Sequence, residues 1–427
     1  MRRLFRHLSG HGQISQGVVS NLVGFAVVGI CGVLINLLIA RHYPPEILGA
    51  FNQVLAIFML SGQLAAFAIH YSVLYHVSKI EDSHAEISAA LSSALWTVAA
   101  CAAATAILLW SLRDSISQLL NSPAVAVGLN AAAIGIFFFP LNKVLLTYLN
   151  ARRRMWLYAI GNAGRYVLML FILSAMHIKH VPGAYFPLCL AVSESLLFAM
   201  LMLACLPHLR RLSINEFRDW SRKHLRFGAK GVAGGMLADL NTRIDILVLG
   251  LMADDRAVGI YSLASVFAEG LFLLNTTLRL NFDPMIARLY HTKQWDALHH
   301  LVSTGKRMGY LGMIGIGGIA ILLFPWVLEW ITHQADYSES WPVFAVLAIG
   351  IILASGYIPF GGMLQQGGHP GSQSLLTGLI VVTNLVGNLV LIPWFGAMGA
   401  AVGTAISQVL FVPYLVWLVR RRLGFRL

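Results

Sequence analysis

Apolar runs of about twenty residues and more follow one another along this chain, and the gaps between them are short and mostly basic. A run of that length crosses the hydrocarbon core of a bilayer as a helix, because lipid offers no partner to an exposed peptide group and a helix satisfies its own. Composition agrees: 58% of the 427 residues are hydrophobic and 11% are charged. Soluble chains carry about a quarter charged residues, so a water-soluble fold is excluded. Fibrous and disordered classes fall as well. The runs are continuous rather than alternating, which excludes a barrel of membrane strands. No polar stretch exceeds the segment from about Pro207 to Arg226, so no separate soluble domain fits.

Hydropathy places twelve spans, at 17–40, 47–77, 87–112, 123–149, 155–177, 184–207, 228–252, 258–285, 307–331, 341–364, 373–394 and 397–419. An even number puts both termini on one side. On that side lie 22 of the 30 Lys and Arg residues; Arg41, Arg113, Lys179 and Arg256 lie on the other. The positive-inside rule then makes both termini cytoplasmic. The net charge of +12 thus records topology, and no nucleic-acid surface is expected. The run after MRRLFRHLSGHGQISQ lacks a small-residue cleavage site and reads as a retained signal-anchor. Cys31, Cys101, Cys189 and Cys205 sit far apart inside apolar runs and read as buried membrane side chains.

Two self-matches point to a duplication. PPEILGAF at 44–51 pairs with DDRAVGIY at 254–261, a shift of 210 that sets Gly49 on Gly259. AIGI at 133–136 recurs at 348–351, a shift of 215. Both shifts are close to half the chain. Six spans in each half give the halves one orientation. The expected fold is therefore an all-α polytopic membrane protein with twelve transmembrane helices in two pseudo-twofold-related six-helix lobes around a central cavity. The N-lobe would be 1–212 and the C-lobe 213–427, with a basic cytoplasmic linker at about 208–226 that can lie on the membrane as an amphipathic helix.

Ionisable groups within spans cost about 2.5–3.5 kcal/mol each on insertion scales, so they face a cavity or a partner. The cations are Arg243, Arg165, Arg279 and Lys143; the acids are Asp239, Asp245, Glu269 and Glu194. Asp239 and Arg243 share a helix face, as an ion pair or as a cavity cation with a tuning acid, while Asp245 points nearly the opposite way. Lys143 can snorkel to the inner surface or enter the cavity. Arg165 is too deep to snorkel. Arg279 can pair with Asp283 or line the cavity. Glu194 and Glu269 can be proton sites or helix-to-helix hydrogen bonds. An inward cavity with this cationic balance attracts an anion, with phosphate the natural match to the guanidinium fork. The chain has no GxxxxGK[ST], HExxH, GxSxG or CxxC, so an enzyme, a cofactor or a metal centre is not expected.

GNLVLIPWFGAMGAAVGTAIS, from Gly387 to Ser407, resembles a pattern of lipid-linked oligosaccharide flippases, matched by Asn388, Leu391, Pro393, Gly396, Gly399, Ala400, Ala401, Thr404 and Ser407. LLIARHYPPEILGAF and the stretch from span seven to GIYSLAS are similar to other parts of those proteins. They form the polysaccharide-transporter (Wzx-type) branch of the MOP superfamily. The resemblance implies alternating access in the bacterial inner membrane, moving undecaprenyl-diphosphate-linked oligosaccharide, an O-antigen or exopolysaccharide repeat unit, from the cytoplasmic to the periplasmic leaflet. The implied partners are that lipid-linked glycan, membrane lipids and a glycan polymerase or synthase. The competing readings are an ion-coupled multidrug antiporter of the same superfamily and a non-transporting or polymerase component of a polysaccharide synthesis complex. Span one carries no charge, unlike the peptidoglycan-precursor and drug-exporting relatives.

Overall fold

The computed structural model describes residues 23–80 and 83–427; the side chains of residues 233, 234, 238 and 239 are outside the described set. Of the run read as a signal-anchor, residues 17–22 lie outside that set, and the described remainder falls in the first helix. Every regular element among the described residues is helical. The long elements are α1 (Val23–His42), α2 (Pro45–Ala66), α3 (Ile69–Val77), α4 (His84–Leu119), α5 (Pro123–Ala151), α6 (Met155–Ile178), α7 (Leu188–Cys205), α8 (Ile214–Met252), α9 (Asp255–His291), α10 (Trp295–Thr332), α11 (Ser340–Ala354) and α13 (Pro370–Leu423). A single turn, α12 (Met363–Gln366), precedes the last of these.

Among the described residues ten helices are long and apolar enough to cross a membrane. The other two expected spans lie inside longer elements. The seventh is the second part of α8, which also contains the charged linker. The eleventh and twelfth share α13, whose 54 residues bend at Gly396. There φ is 52° and ψ is −128°, a conformation open to glycine and costly for any residue with a Cβ. Two boundaries need correction. The second span is broken after Ala66, where Phe67 and Ala68 take positive φ before α3 begins. The tenth ends at Ala354, and residues 355–362 form turns on either side of a short 3-10 helix (Ile358–Phe360) rather than more of the helix.

The helices pack into two units. One holds the described residues up to Ile35 with Val54–Gln118 and Pro123–Asp239; the other holds Asn36–Gln53, Leu119–Ser122 and Leu240–Leu427. The first unit has its core around Ile69, Leu91, Val144, Leu145 and Tyr148. The linker is docked on this unit. Ser213 and Glu216 form a reciprocal capping box at the start of α8, with Ser213 N donating to Glu216 Oε2 (3.0 Å) and Glu216 N to Ser213 Oγ (3.3 Å). One turn on, Ser221 Oγ lies 3.1 Å from Ser93 Oγ and 2.9 Å from Thr97 Oγ1 of α4. His224 is buried, its Nε2 3.0 Å from the Ala90 carbonyl and its Nδ1 2.9 Å from Ser72 Oγ.

The second unit is centred on Ile286, Leu298, Phe360, Met363 and Leu415. Here the repeated turns meet. A Cβ on Gly49 would stand 1.8 Å from the Asp255 carbonyl oxygen, and one on Gly259 would stand 1.9 Å from the Pro45 carbonyl oxygen. Each glycine of the aligned pair thus admits the other's backbone, a reciprocity that a duplicated turn produces. Asp255 fastens the same region by accepting from Gln53 Nε2 (2.7 Å) and Ser122 Oγ (2.6 Å).

Gly49→Ala should lower stability by about 2 kcal/mol or more, because backbone rather than a side-chain tip must move. Gly29→Ala, with nothing within 4 Å of its Cβ, should be neutral or stabilising. Thermal melting in detergent compares them; an unchanged midpoint for Gly49→Ala would refute the close approach. A second expectation concerns His224, whose pKa burial pushes down to about 4, with smaller contributions from His76 and Lys223. The fold therefore favours the neutral ring. Its stabilisation is complete above the ordinary value near 6.5 and is lost as pH falls from there to about 4. His224→Gln should flatten the fall in melting temperature between pH 7 and 5, and equal slopes would contradict this account.

Candidate functional site

In the first unit the predicted charges collect around Phe139, one residue before the Pro140 that lies inside α5. Arg165 of α6 pairs with Glu194 of α7, Nε to Oε1 at 2.5 Å and Nη2 to Oε2 at 3.3 Å. Asn142 Nδ2 donates to the same carboxylate (2.8 Å) and to the Glu194 carbonyl (2.9 Å). Glu194 is thus a helix-to-helix linchpin and is almost fully buried. Lys143 does not snorkel away; its Nζ donates to Gln63 Oε1 of α2. Both cations flank the Phe139 ring, with Arg165 Cζ 4.5 Å and Lys143 Nζ 5.0 Å from its centroid. Such contacts contribute about 0.5–2 kcal/mol each.

In the second unit Asp245 of α8 occupies a different environment. Its Oδ1 accepts from Asn384 Nδ2 (2.8 Å) and Asn388 Nδ2 (2.6 Å). Its Oδ2 accepts from Tyr261 OH (2.7 Å) and Thr404 Oγ1 (3.1 Å). All four donors are neutral, and no ion pair to Asp245 forms among the described residues. The donors come from α9 and from α13 on both sides of the Gly396 bend. Gly403 makes that approach possible, since a Cβ there would lie 2.7 Å from Asn388 Oδ1. That Asn388 oxygen is buried without a hydrogen-bond partner. The centre thus offers carboxylate, amide and hydroxyl oxygens, a set suited to a proton or a monovalent cation. No group of three His, Cys, Asp or Glu that could hold a metal ion exists among the described residues.

Arg243, two residues before Asp245, has a buried Nε with no acceptor among the described residues. Glu269 of α9 interacts with it electrostatically and also lies within the field of Asp245. The side chain of Asp239 is outside the described residues, so its pairing with Arg243 is not described. Arg279 takes the local option: its Nε is 3.4 Å from Asp283 Oδ2, one turn along α9.

Sequence reasoning names the buried charges but not the neutral groups that hold them. It misses Gln63, Asn142, Tyr261 and Asn384 as site residues, and it reads Asn388 and Thr404 only as elements of a motif. Their 16-residue separation across a glycine bend carries the signal, because two helices joined by a tight bend pack antiparallel and bring such polar residues to one level.

Over 164 residues the chain is 26% identical to the probable low-salt glycan biosynthesis flippase Agl15 of Haloferax volcanii, a match covering 38% of this chain and 34% of that protein. The chain thus spans about a third of that relative's length. Among solved structures it resembles the lipid II flippase MurJ in an inward closed conformation, with a TM-score of 0.77, 15% identity and coverage of 94% of this chain and 87% of that one. It also resembles an inward-facing multidrug resistance MATE family transporter of the MOP superfamily, with a TM-score of 0.74, 15% identity and coverage of 95% and 98%. At this identity the likeness concerns the fold, an all-α multi-pass membrane architecture. Residues 14–269 match the family model described as polysaccharide biosynthesis protein. That is more than half of the chain, and the chain belongs to this polysaccharide biosynthesis protein family.

Proposed function

We propose that the chain is a flippase that moves a polyprenyl-diphosphate-linked oligosaccharide, undecaprenyl in a bacterial inner membrane, from the cytoplasmic to the periplasmic leaflet by alternating access between two six-helix lobes. The observation that carries this reading is the buried Arg243 Nε with no acceptor. A guanidinium held in the membrane without a complete set of acceptors is expensive, and a diphosphate supplies them in matching fork geometry. Lys143 and Arg165 are a second cationic set, more fully occupied by Gln63 and Glu194. Arg279 is the weakest candidate because Asp283 already neutralises it. Family membership and the glycan-flippase relative support a glycan substrate and the membrane lipids around it. Polymerase or synthase partners remain a further proposal.

Asp245 is assigned the coupling role. A carboxylate surrounded only by neutral donors carries its charge uncompensated until a proton or monovalent cation joins it, and that loading changes what α8, α9 and α13 hold together. Glu269 tunes Arg243 through its field, and Asp239 is retained as a tuning acid by its place on the Arg243 face of α8. The MATE likeness favours one second reading, an ion-coupled antiporter of organic cations. It requires acids rather than Arg243 to contact the substrate.

Arg243→Ala should lower transport of fluorescent lipid-diphosphate sugar into proteoliposomes by about ten-fold or more, the loss of one charge-assisted contact, with unchanged insertion. Undiminished transport would remove Arg243 from the site, and export of organic cations instead would favour the antiporter. Asp245→Asn keeps the shape and removes the charge. Transport by that variant should no longer respond to an imposed proton or sodium gradient, while slow downhill equilibration persists. A gradient response equal to that of the unaltered protein would overturn the coupling role.

A further inference from the structure

A second cationic cluster lies in the first unit, apart from Phe139 and its charges. His84, Ile87 and Ser88 from the start of α4, Tyr148 and Arg152 from the end of α5, Arg154 just before α6, and His208 line a cavity of about 130 Å³. A single water needs roughly 10–15 Å³ measured in the same way, so the space admits a group of several heavy atoms. None of the lining residues among those described is acidic. Among the described residues neither Arg152 nor Arg154 forms an ion pair.

The sequence builds this cluster through one tight turn. Arg153 takes φ 56°, the left-handed position that closes a helix. Arg154 N then donates to the Leu149 carbonyl (2.9 Å), and Arg152 N to the Tyr148 carbonyl (3.0 Å). The reversal puts Arg152 and Arg154 at the cavity and leaves Arg153 out of its lining. Tyr148 is 1% exposed and lines the cavity. Its ring packs at 5.8 Å against His208.

We infer that this cavity binds a phosphoryl group. Two guanidinium forks, the Tyr148 and Ser88 hydroxyls and two imidazoles surround one small volume from several directions. That suits a tetrahedral oxyanion with three or more acceptor oxygens better than a planar carboxylate. The N-terminal ends of α4 and α6 add their favourable dipoles. All the lining residues lie in, or at the ends of spans beside, gaps that the charge bias assigns to the cytoplasmic side. The source is therefore soluble phosphate or the phosphomonoester headgroup of a lipid in that leaflet. The inference is independent of the assignment of Arg243.

The test uses the full chain in detergent and radiolabelled inorganic phosphate in equilibrium dialysis. Binding should be saturable, and R152Q/R154Q should weaken it by about ten-fold or more. Arg153→Gly, which removes a neighbouring charge and relieves its left-handed backbone, should leave affinity within about two-fold. Tyr148→Phe deletes one hydroxyl of a lining residue and should weaken binding by about three-fold or more, which decides the matter if the double variant does not fold. Competition by dihexanoyl phosphatidic acid, and none by dihexanoyl phosphatidylcholine, identifies a lipid headgroup; absence of competition identifies soluble phosphate. The inference is overturned if phosphate does not bind saturably. It is overturned equally if binding is the same in R152Q/R154Q and Tyr148→Phe as in the unaltered protein, or falls as far in Arg153→Gly as in the double variant.

Discussion

A carboxylate placed among apolar helices must be met by donors, because leaving it bare costs more than any one packing contact returns. The two units meet that demand in opposite ways. Glu194 is met by a charge, Arg165, and by the Asn142 amide. Asp245 is met by two amides and two hydroxyls, none of them charged. The first arrangement is electrically closed and holds three helices in register. The second satisfies hydrogen bonding and leaves the net charge open. Only the second has an occupancy that can change without breaking the local structure.

The cations follow from the same constraint. Arg165 and Arg279 each have a carboxylate, and Lys143 has the Gln63 carbonyl oxygen. Arg243 has a buried Nε without an acceptor and, unlike Arg165, no ion pair among the described residues, and it sits on the same helix as Asp245, two residues away. Successive positions on a helix point about 100° apart, so these two residues face in widely different directions. One helix thus presents an anion-seeking group on one side and a proton- or cation-seeking group on another. A rotation or bend of α8 would alter both environments at once. On the proposed reading, that suffices to link an ion to an anionic substrate with no direct contact between them.

Much of the fold is legible in the sequence because hydrocarbon imposes a length and a polarity on every span. Hydropathy separates the last two spans at residues 395 and 396, and the helix bends at Gly396. The interruption at Phe67 and Ala68 is not visible, since neither residue is a usual breaker and the run stays apolar through it. The linker reads as amphipathic, which its composition supports, but its docking through Ser221 and His224 depends on partners more than 120 residues away. The site divides along the same line. Charges in an apolar run announce themselves, whereas Asn384 and Tyr261 are ordinary in a membrane helix until a carboxylate from another helix arrives beside them.

The internal repeat adds a final step. The shift of 210 that aligns Gly49 with Gly259 also sets Asp245 against Ile35, a buried apolar residue. At equivalent places in the duplicated scaffold, one copy carries isoleucine and the other a carboxylate with four donors built around it. The helix turn therefore does not need a charge in order to pack; isoleucine fills the corresponding position without one. The backbone contacts of Gly49 and Gly259 are reciprocal, whereas the Asp245 carboxylate has only isoleucine at the aligned position. Where two halves aligned in this way differ at a costly buried charge, packing alone does not call for the charge, which is why the coupling role is proposed for Asp245.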